Sequence, residues 1–249
     1  MQIKLKKSIA IRTVEDWHTY APPKDAQKQW KDGRSAKELA RFACSSRFEE
    51  LIRTILKECH IKNQDFTGEP EAETYFPTKE PLNLGKNGPR NHDILLIGKD
   101  CVIGIEAKVS EPFDETIQER WDKLEKTENQ RNRVLGLVKY IMGDTYNKYQ
   151  TVESLPEEIK ALRYQLFAAT VGTIEEAKKN NVKKAIVLII VFNGNIDPGA
   201  NYEDCIRRNN DDYDDFVSIC MTGGKKIING IECQIIKKVI AVTYPGEWK

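Results

Sequence analysis

His92-Asp93-Ile94-Leu95-Leu96-Ile97-Gly98-Lys99-Asp100-Cys101-Val102-Ile103-Gly104-Ile105-Glu106-Ala107-Lys108-Val109 reads as two short strands joined by a tight turn. Ile and Leu dominate the first half, Val, Ile and Ala the second, and Gly98, Lys99 and Asp100 form the turn cluster between them. Side chains alternate along a strand, so Glu106 and Lys108 emerge on one face. With Lys99-Asp100 as a two-residue loop, or Gly98 to Cys101 as a four-residue loop, Asp93 stands directly opposite Glu106. Directly opposed residues have Cβ atoms about 4.5–5.5 Å apart, close enough for two carboxylates to share a cation. A three-residue loop would break that pairing.

Two carboxylates facing each other in an apolar hairpin repel unless a cation compensates them, and Mg²⁺ prefers hard oxygen ligands and water. The plainer reading makes Asp93 and Glu106 ordinary polar positions on a solvated sheet face, with Lys108 as a cross-strand ion-pair partner. The chain carries its own controls. Glu158-Ile159-Lys160 and Glu176-Ala177-Lys178 repeat the acid-x-Lys triplet, but within helical patterns, where residues two apart do not face each other. Only the copy at 106–108 combines a strand context with an upstream acid in register.

Around the hairpin the pattern is helix, strand, hairpin, helices, long helix and buried strand. This is an α/β arrangement, a mixed central β-sheet flanked by helices. Ser35 and Glu38 suggest a capping box that opens a helix, and Phe48, Leu51, Ile52, Ile55, Leu56 and Cys59 give a second helical stripe. Glu71 to Thr78 alternates weakly, as a strand would. A helix is expected from Pro156 to about Asn180, with Ile159, Leu162, Leu166, Ala169, Thr173 and Ala177 as its apolar stripe. Arg163 falls within that stripe and Gln165 at its edge, and a core-facing arginine must find a partner. Ala185 to Phe192 is a continuous apolar run, typical of a strand buried on both faces. The acidic cluster Asp211-Asp212 and Asp214-Asp215 lacks the residue order of a calcium loop and reads as a solvated helix face. Asn229-Gly230 is a good hairpin turn between the last two strands.

Of 249 residues, 39 are basic and 38 acidic, for a net charge of +1. Proteins that grip long stretches of nucleic acid are usually more basic, so this balance argues against non-specific coating and leaves room for a local basic cleft. Cys44, Cys59, Cys101, Cys205, Cys220 and Cys233 form no C-x-x-C pair, so zinc spacing is absent and buried free thiols in a reducing cytoplasm are expected. His18, His60 and His92 form no cluster, and alternation points His92 to the face opposite Asp93. The opening residues lack the apolar core of a signal peptide, and the longest apolar run is too short to span a bilayer. A cytoplasmic protein without membrane contact is expected.

At Asp93 and Glu106-Ala107-Lys108 the chain resembles the PD-(D/E)XK nuclease superfamily, the restriction-endonuclease-like fold. The proline is displaced, since Gly88-Pro89-Arg90-Asn91-His92 precedes Asp93. Trp30 to Ala40, Glu106 to Phe113 and Arg163 to Leu166 are similar to a little-characterised bacterial and phage family within that superfamily. The likeness spans roughly residues 30–200. At 249 residues the chain is most simply one domain, with 1–34 as an N-terminal extension, a core over about 35–200, and 201–249 as a C-terminal helix and strands. The resemblance implies Mg²⁺-dependent hydrolysis of phosphodiesters, in DNA ahead of RNA, with Mn²⁺ as a substitute. Asp93, Glu106 and the carbonyl of Ala107 would hold the metal, and Lys108 would orient water or stabilise charge. Arg163 and Gln165 match in type the polar residue that a following helix supplies, and Glu49 is the candidate for a further acid, with Glu71 and Glu73 as rivals. Lys86, Arg90, Arg131 and Arg133 are candidate nucleic-acid contacts. Some members of the superfamily have lost catalysis, so the alternative is an inactive nuclease-like binding or regulatory module. A homodimer is a third arrangement left open.

Overall fold

A computed structural model describes residues 1–78, 84, 88–109, 111–123, 128–194 and 202–242. Its strands are β1 (Ile3–Leu5), β2 (Phe66–Thr74), β3 (Arg90–Gly98), β4 (Val102–Lys108), β5 (Lys184–Asn193), β6 (Lys225–Ile228) and β7 (Ile231–Ala241). They form one mixed seven-stranded sheet in the order β1-β2-β3-β4-β5-β7-β6. The helices are α1 (Val14–Tyr20), α2 (Ala26–Gln29), α3 (Ser35–Ala43), α4 (Ser46–Glu58), α5 (Ile117–Asp122), α6 (Glu128–Met142), α7 (Glu157–Lys160), α8 (Tyr164–Lys179) and α9 (Tyr202–Cys220). The architecture is the expected α/β sheet flanked by helices.

The hairpin has the expected register. Ile97 pairs with Val102 and Ile94 with Ile105, so Lys99-Asp100 is a two-residue loop, closed by the Gly98 N–H donating to the Cys101 carbonyl at 3.0 Å. Neither loop residue has a positive φ. The Gln64 side chain instead supports the turn, accepting the Asp100 N–H at 2.8 Å. Asn229-Gly230, by contrast, has φ values of 49° and 78°, the left-handed pair that a type I′ hairpin turn requires.

Alternation along β4 and β5 divides the core into two layers. Leu95, Val102, Val187 and Ile189 pack with α6, α8 and Phe216 of α9. Leu96, Ile103, Ile105, Ile186 and Leu188 pack with Trp17 of α1, Leu39 and Phe42 of α3 and Ile52 of α4. Every residue from Ala185 to Phe192 is buried, as its unbroken apolar run predicts.

Several sequence expectations are revised. The helix expected from Pro156 is broken into α7 and α8. Between them Arg163 bridges Thr116 as a strand would, the Leu162 carbonyl accepts the Ile117 N–H, and the Tyr164 N–H donates to the Glu115 carbonyl. Backbone pairing with a distant segment thus replaces a helical turn. Ser35 is the first residue of α3 and makes no side-chain cap, while Glu38 reaches back to the Gly33 N–H at 3.1 Å. The strand expected over 71–78 runs instead from Phe66 to Thr74. The N-terminal segment read as an extension contributes β1, which pairs with β2, while the C-terminal helix and strands are present as expected, with β7 parallel to β5 from Glu232 to Ala241. All six cysteines are free. No helix among the described residues is long and apolar enough to cross a membrane.

The approach of α8 to β4 depends on Gly104. A Cβ there would lie 2.1 Å from Thr173 Oγ1 and 3.0 Å from His92 Nδ1. Gly104→Ala is therefore expected to destabilise the protein by about 1–3 kcal/mol through overpacking, measured by urea denaturation. Adding Thr173→Ala should recover part of that loss; strictly additive losses would show that the two residues do not compete for the same space.

Candidate functional site

The site begins with a break in two adjacent strands. In the β2–β3 ladder Pro70 pairs with Ile94 and Ala72 with His92, while Glu71 and Asp93 between them are unpaired. Glu71 has a φ of 48°, a conformation costly for a residue with a Cβ. Alternation reverses across this kink. Gly68 faces Leu5 and Leu96 in the layer beside α4, whereas Ala72 belongs to the layer beside α8. His92 does not obey simple alternation either: its ring lies against Gly104 and Gly172 on the α8 side. The imidazole is buried with neither nitrogen hydrogen-bonded, and burial, reinforced by Arg90, drops its pKa well below the usual range. It is a neutral packing residue.

On the other side of β3, Asp93 Oδ2 accepts the Ala107 N–H at 2.7 Å. A carboxylate thus takes the bond that a backbone carbonyl would otherwise make, and the β3–β4 ladder ends at Ile94 and Ile105. Beyond that point the hairpin is held open by side chains, and a cleft of about 710 Å³ reaches Asp93, Glu71, Asn91, Lys108 and Gln165.

Glu106 points from β4 toward α8 and is only 1% exposed. Arg90, itself 8% exposed, donates to Glu106 Oε1. Gln165, in the first turn of α8, donates to Oε2 at 2.6 Å. Lys108 is also 8% exposed and stands 5.6 Å from the Phe113 ring centroid. Burial pushes the half-buried Asp93 carboxyl up to about 8; Glu106 and Glu71 add to the rise, while Lys108 and the Ala107 N–H oppose it. Glu71 is raised chiefly by burial and also by Glu106, against a hydrogen bond from Asn91.

Three acids therefore share one poorly solvated end of the sheet. Beside them the Oδ1 of Asn91 and the Oε1 of Gln165 are buried without hydrogen-bond partners. Surplus carboxylate charge and orphaned oxygens are the donor types a hard divalent cation takes. Glu106 departs from that fit, because both its oxygens are occupied by protein donors. Among the described residues no three His, Cys, Asp or Glu side chains already stand as a ligand set.

Of the residues singled out by sequence, Asp93, Glu106, Ala107, Lys108, Gln165 and the rival acid Glu71 come together here, and Arg90 joins them as the partner of Glu106. Arg163, Glu49, Glu73, Arg131 and Arg133 lie elsewhere. Arg163 caps α8 and pairs with Asp212 of α9 at 2.8 Å, so its partner is on a helix and not among the hairpin acids. Glu49 accepts the Ile3 N–H at 3.0 Å. Ile3 pairs with Phe66, and Phe66 with Gly98, so Glu49 sits at the turn end of the hairpin, roughly 17 Å from Asp93 at about 3.4 Å per residue. Glu73 is exposed and takes the Tyr75 hydroxyl. Arg90 is no loop cation but the buried partner of Glu106. Arg131 and Arg133 lie over the Trp121 and Phe76 rings, and Arg133 also donates to the Gly88 carbonyl. Lys86 lies outside the described residues.

Sequence reasoning named Glu71 only as a rival acid and missed the role of Arg90. Pro70 was the available signal, since proline inside a strand marks a disturbed ladder. Nothing local marks Arg90, whose direction depends on the kink at Asp93.

A family model described as "Domain of unknown function (DUF6946)" matches residues 10–240. The chain belongs to that family. No curated protein and no solved structure matches it. The DUF6946 match runs through every element that builds the cleft, from the segment before α1 into β7.

Because Asp93 holds a proton in the fold between about pH 4 and 8 that the unfolded chain releases, its ionisation destabilises the metal-free protein progressively over that window. Asp93→Asn should therefore raise the melting temperature in EDTA at pH 8, with a gain that shrinks toward zero near pH 4. A gain independent of pH would show that Asp93 is not the titrating group.

Proposed function

We propose that this protein hydrolyses phosphodiester bonds in nucleic acid, DNA ahead of RNA, at the open end of the β3–β4 hairpin. One observation carries the reading: Asp93 and Glu71 line a cleft together with Lys108, and Glu106, paired with Arg90, is buried beside them. Mg²⁺, or Mn²⁺ in its place, would be held by Asp93 and Glu71, by Glu106 when Arg90 yields it, and by the Ala107 carbonyl. A bound divalent ion lowers the pKa of water and stabilises charge on phosphoryl oxygens.

The protein's own groups have distinct parts in this reading. Lys108 lines the cleft, held by its burial and by Phe113, and in this reading it stabilises negative charge on the phosphate or orients the attacking water. Gln165 orients Glu106 by donating to Oε2, which leaves its own carbonyl oxygen directed to the site. Asp93 is set by the Ala107 N–H, so its free oxygen has a defined direction. Wild-type protein is expected to cut DNA only with Mg²⁺ or Mn²⁺, and Lys108→Met to lower the rate by about 10²-fold or more. Unchanged Mg²⁺-dependent cleavage in Glu106→Ala/Lys108→Ala would overturn the assignment.

The Arg90–Glu106–Gln165 contact favours a second reading, a nuclease-like binding or regulatory module that does not cut. In that case Arg90 permanently replaces the cation. Calorimetry separates the two: a nuclease takes up Mn²⁺ and loses that uptake in Asp93→Asn, whereas the module shows no uptake. Breaking the buried pair with Arg90→Met should cost about 3–5 kcal/mol in EDTA. Under the nuclease reading Mn²⁺ restores more stability to this variant than to wild type; under the module reading it restores none.

A further inference from the structure

We infer that the segment from Lys24 to Arg34 forms the wall that grips the nucleic-acid backbone, an inference resting on the nucleic-acid reading of the same cleft. The cations first expected to do this are engaged elsewhere: Arg90 is buried on Glu106, and Arg131 and Arg133 lie on aromatic rings. The cleft instead has Lys24, Lys28, Lys31 and Arg34 along one side and Asp93 with Lys108 at its floor. Lys24, Lys31 and Arg34 are exposed and form no ion pair among the described residues, whereas Lys28 pairs with Asp25 at 3.3 Å. In a chain whose charges nearly cancel overall, a row of uncommitted cations on one wall is a local field that attracts a polyanion.

The wall is positioned relative to the acids by one carboxylate. Glu111 Oε1 accepts the Ser35 N–H at 3.1 Å and its hydroxyl at 3.2 Å, while Oε2 accepts the Val109 N–H at 3.0 Å. Val109 adjoins Lys108, so the start of α3 is tied to the end of β4. These bonds also commit Glu111, and Asp25 is paired with Lys28, so of the lining acids away from the floor Asp114 remains. Small-molecule pockets are mainly apolar, yet only Pro23, Ala36 and Pro112 among the lining residues are apolar. An open, charged cleft of this kind suits an extended phosphodiester strand whose backbone lies on the wall and crosses the acids.

The test is fluorescence anisotropy in EDTA with a labelled DNA duplex, for wild type and for Lys24→Ala/Lys31→Ala/Arg34→Ala, across a salt series. Each lost phosphate contact lowers the slope of log affinity against log salt by about 0.9, so the triple variant should bind more weakly, with a slope smaller by about 3. The charge-conserving Lys24→Arg/Lys31→Arg/Arg34→Lys should bind as wild type does. An unchanged slope in the alanine variant overturns the inference, as does competition by polyglutamate equal to that by unlabelled DNA. Cleavage is scored separately with Mg²⁺. Wild-type protein that binds with the expected slope but never cuts supports the wall and defeats the hydrolytic reading; cutting with an unchanged slope in the variant does the reverse.

Discussion

The hydrogen bond from the Ala107 N–H to the Asp93 carboxylate is the constraint on which the rest of the site depends. Within a sheet that backbone donor belongs to a ladder, and giving it to a side chain ends the ladder while leaving no buried donor unsatisfied. Glu71, opposite Asp93 on the next strand, bends through a positive φ at the same level. Because both strands change face there, Arg90 and His92 come round to the α8 side. The kink therefore opens the cleft and delivers the cation that neutralises Glu106.

That neutralisation sets the balance within the site. A buried carboxylate without a partner is costly, and Glu106 meets Arg90 on one oxygen and Gln165 on the other. Among the described residues Asp93 and Glu71 have no comparable partner, and burial without one raises their pKa values. A divalent ion would relieve Asp93 and Glu71 first and would have to compete with Arg90 for Glu106. The two proposed readings, turnover and a silent module, share this geometry and differ in the strength of one ion pair.

The hairpin was legible because its information is local. Apolar runs on both sides of Lys99-Asp100 set the register, and the register brought Asp93 to Glu106. Likewise Ala185 to Phe192 showed itself as a doubly buried strand. The helical Glu-x-Lys copies also lie where expected, in α7 and α8. Arg163 leaves its apparent stripe because that stripe is not one helix: Thr116 pairs with Arg163 and interrupts it. Glu49 misled because helix periodicity says which face is buried but not which end of the sheet it covers.

The sequence by itself determined the sheet-and-helix plan, the register of β3 on β4, and the presence of an acid pair with a lysine two residues on. Periodicity and turn chemistry carry these, since they depend on neighbours a few residues away. Only the tertiary structure decided that Glu71 faces Asp93, that Arg90 holds Glu106, and that Glu111 ties Ser35 to the end of β4. Each joins segments far apart in the chain or depends on a break in alternation. Strand periodicity assumes an unbroken ladder, and at Asp93 a side chain takes the ladder's bond.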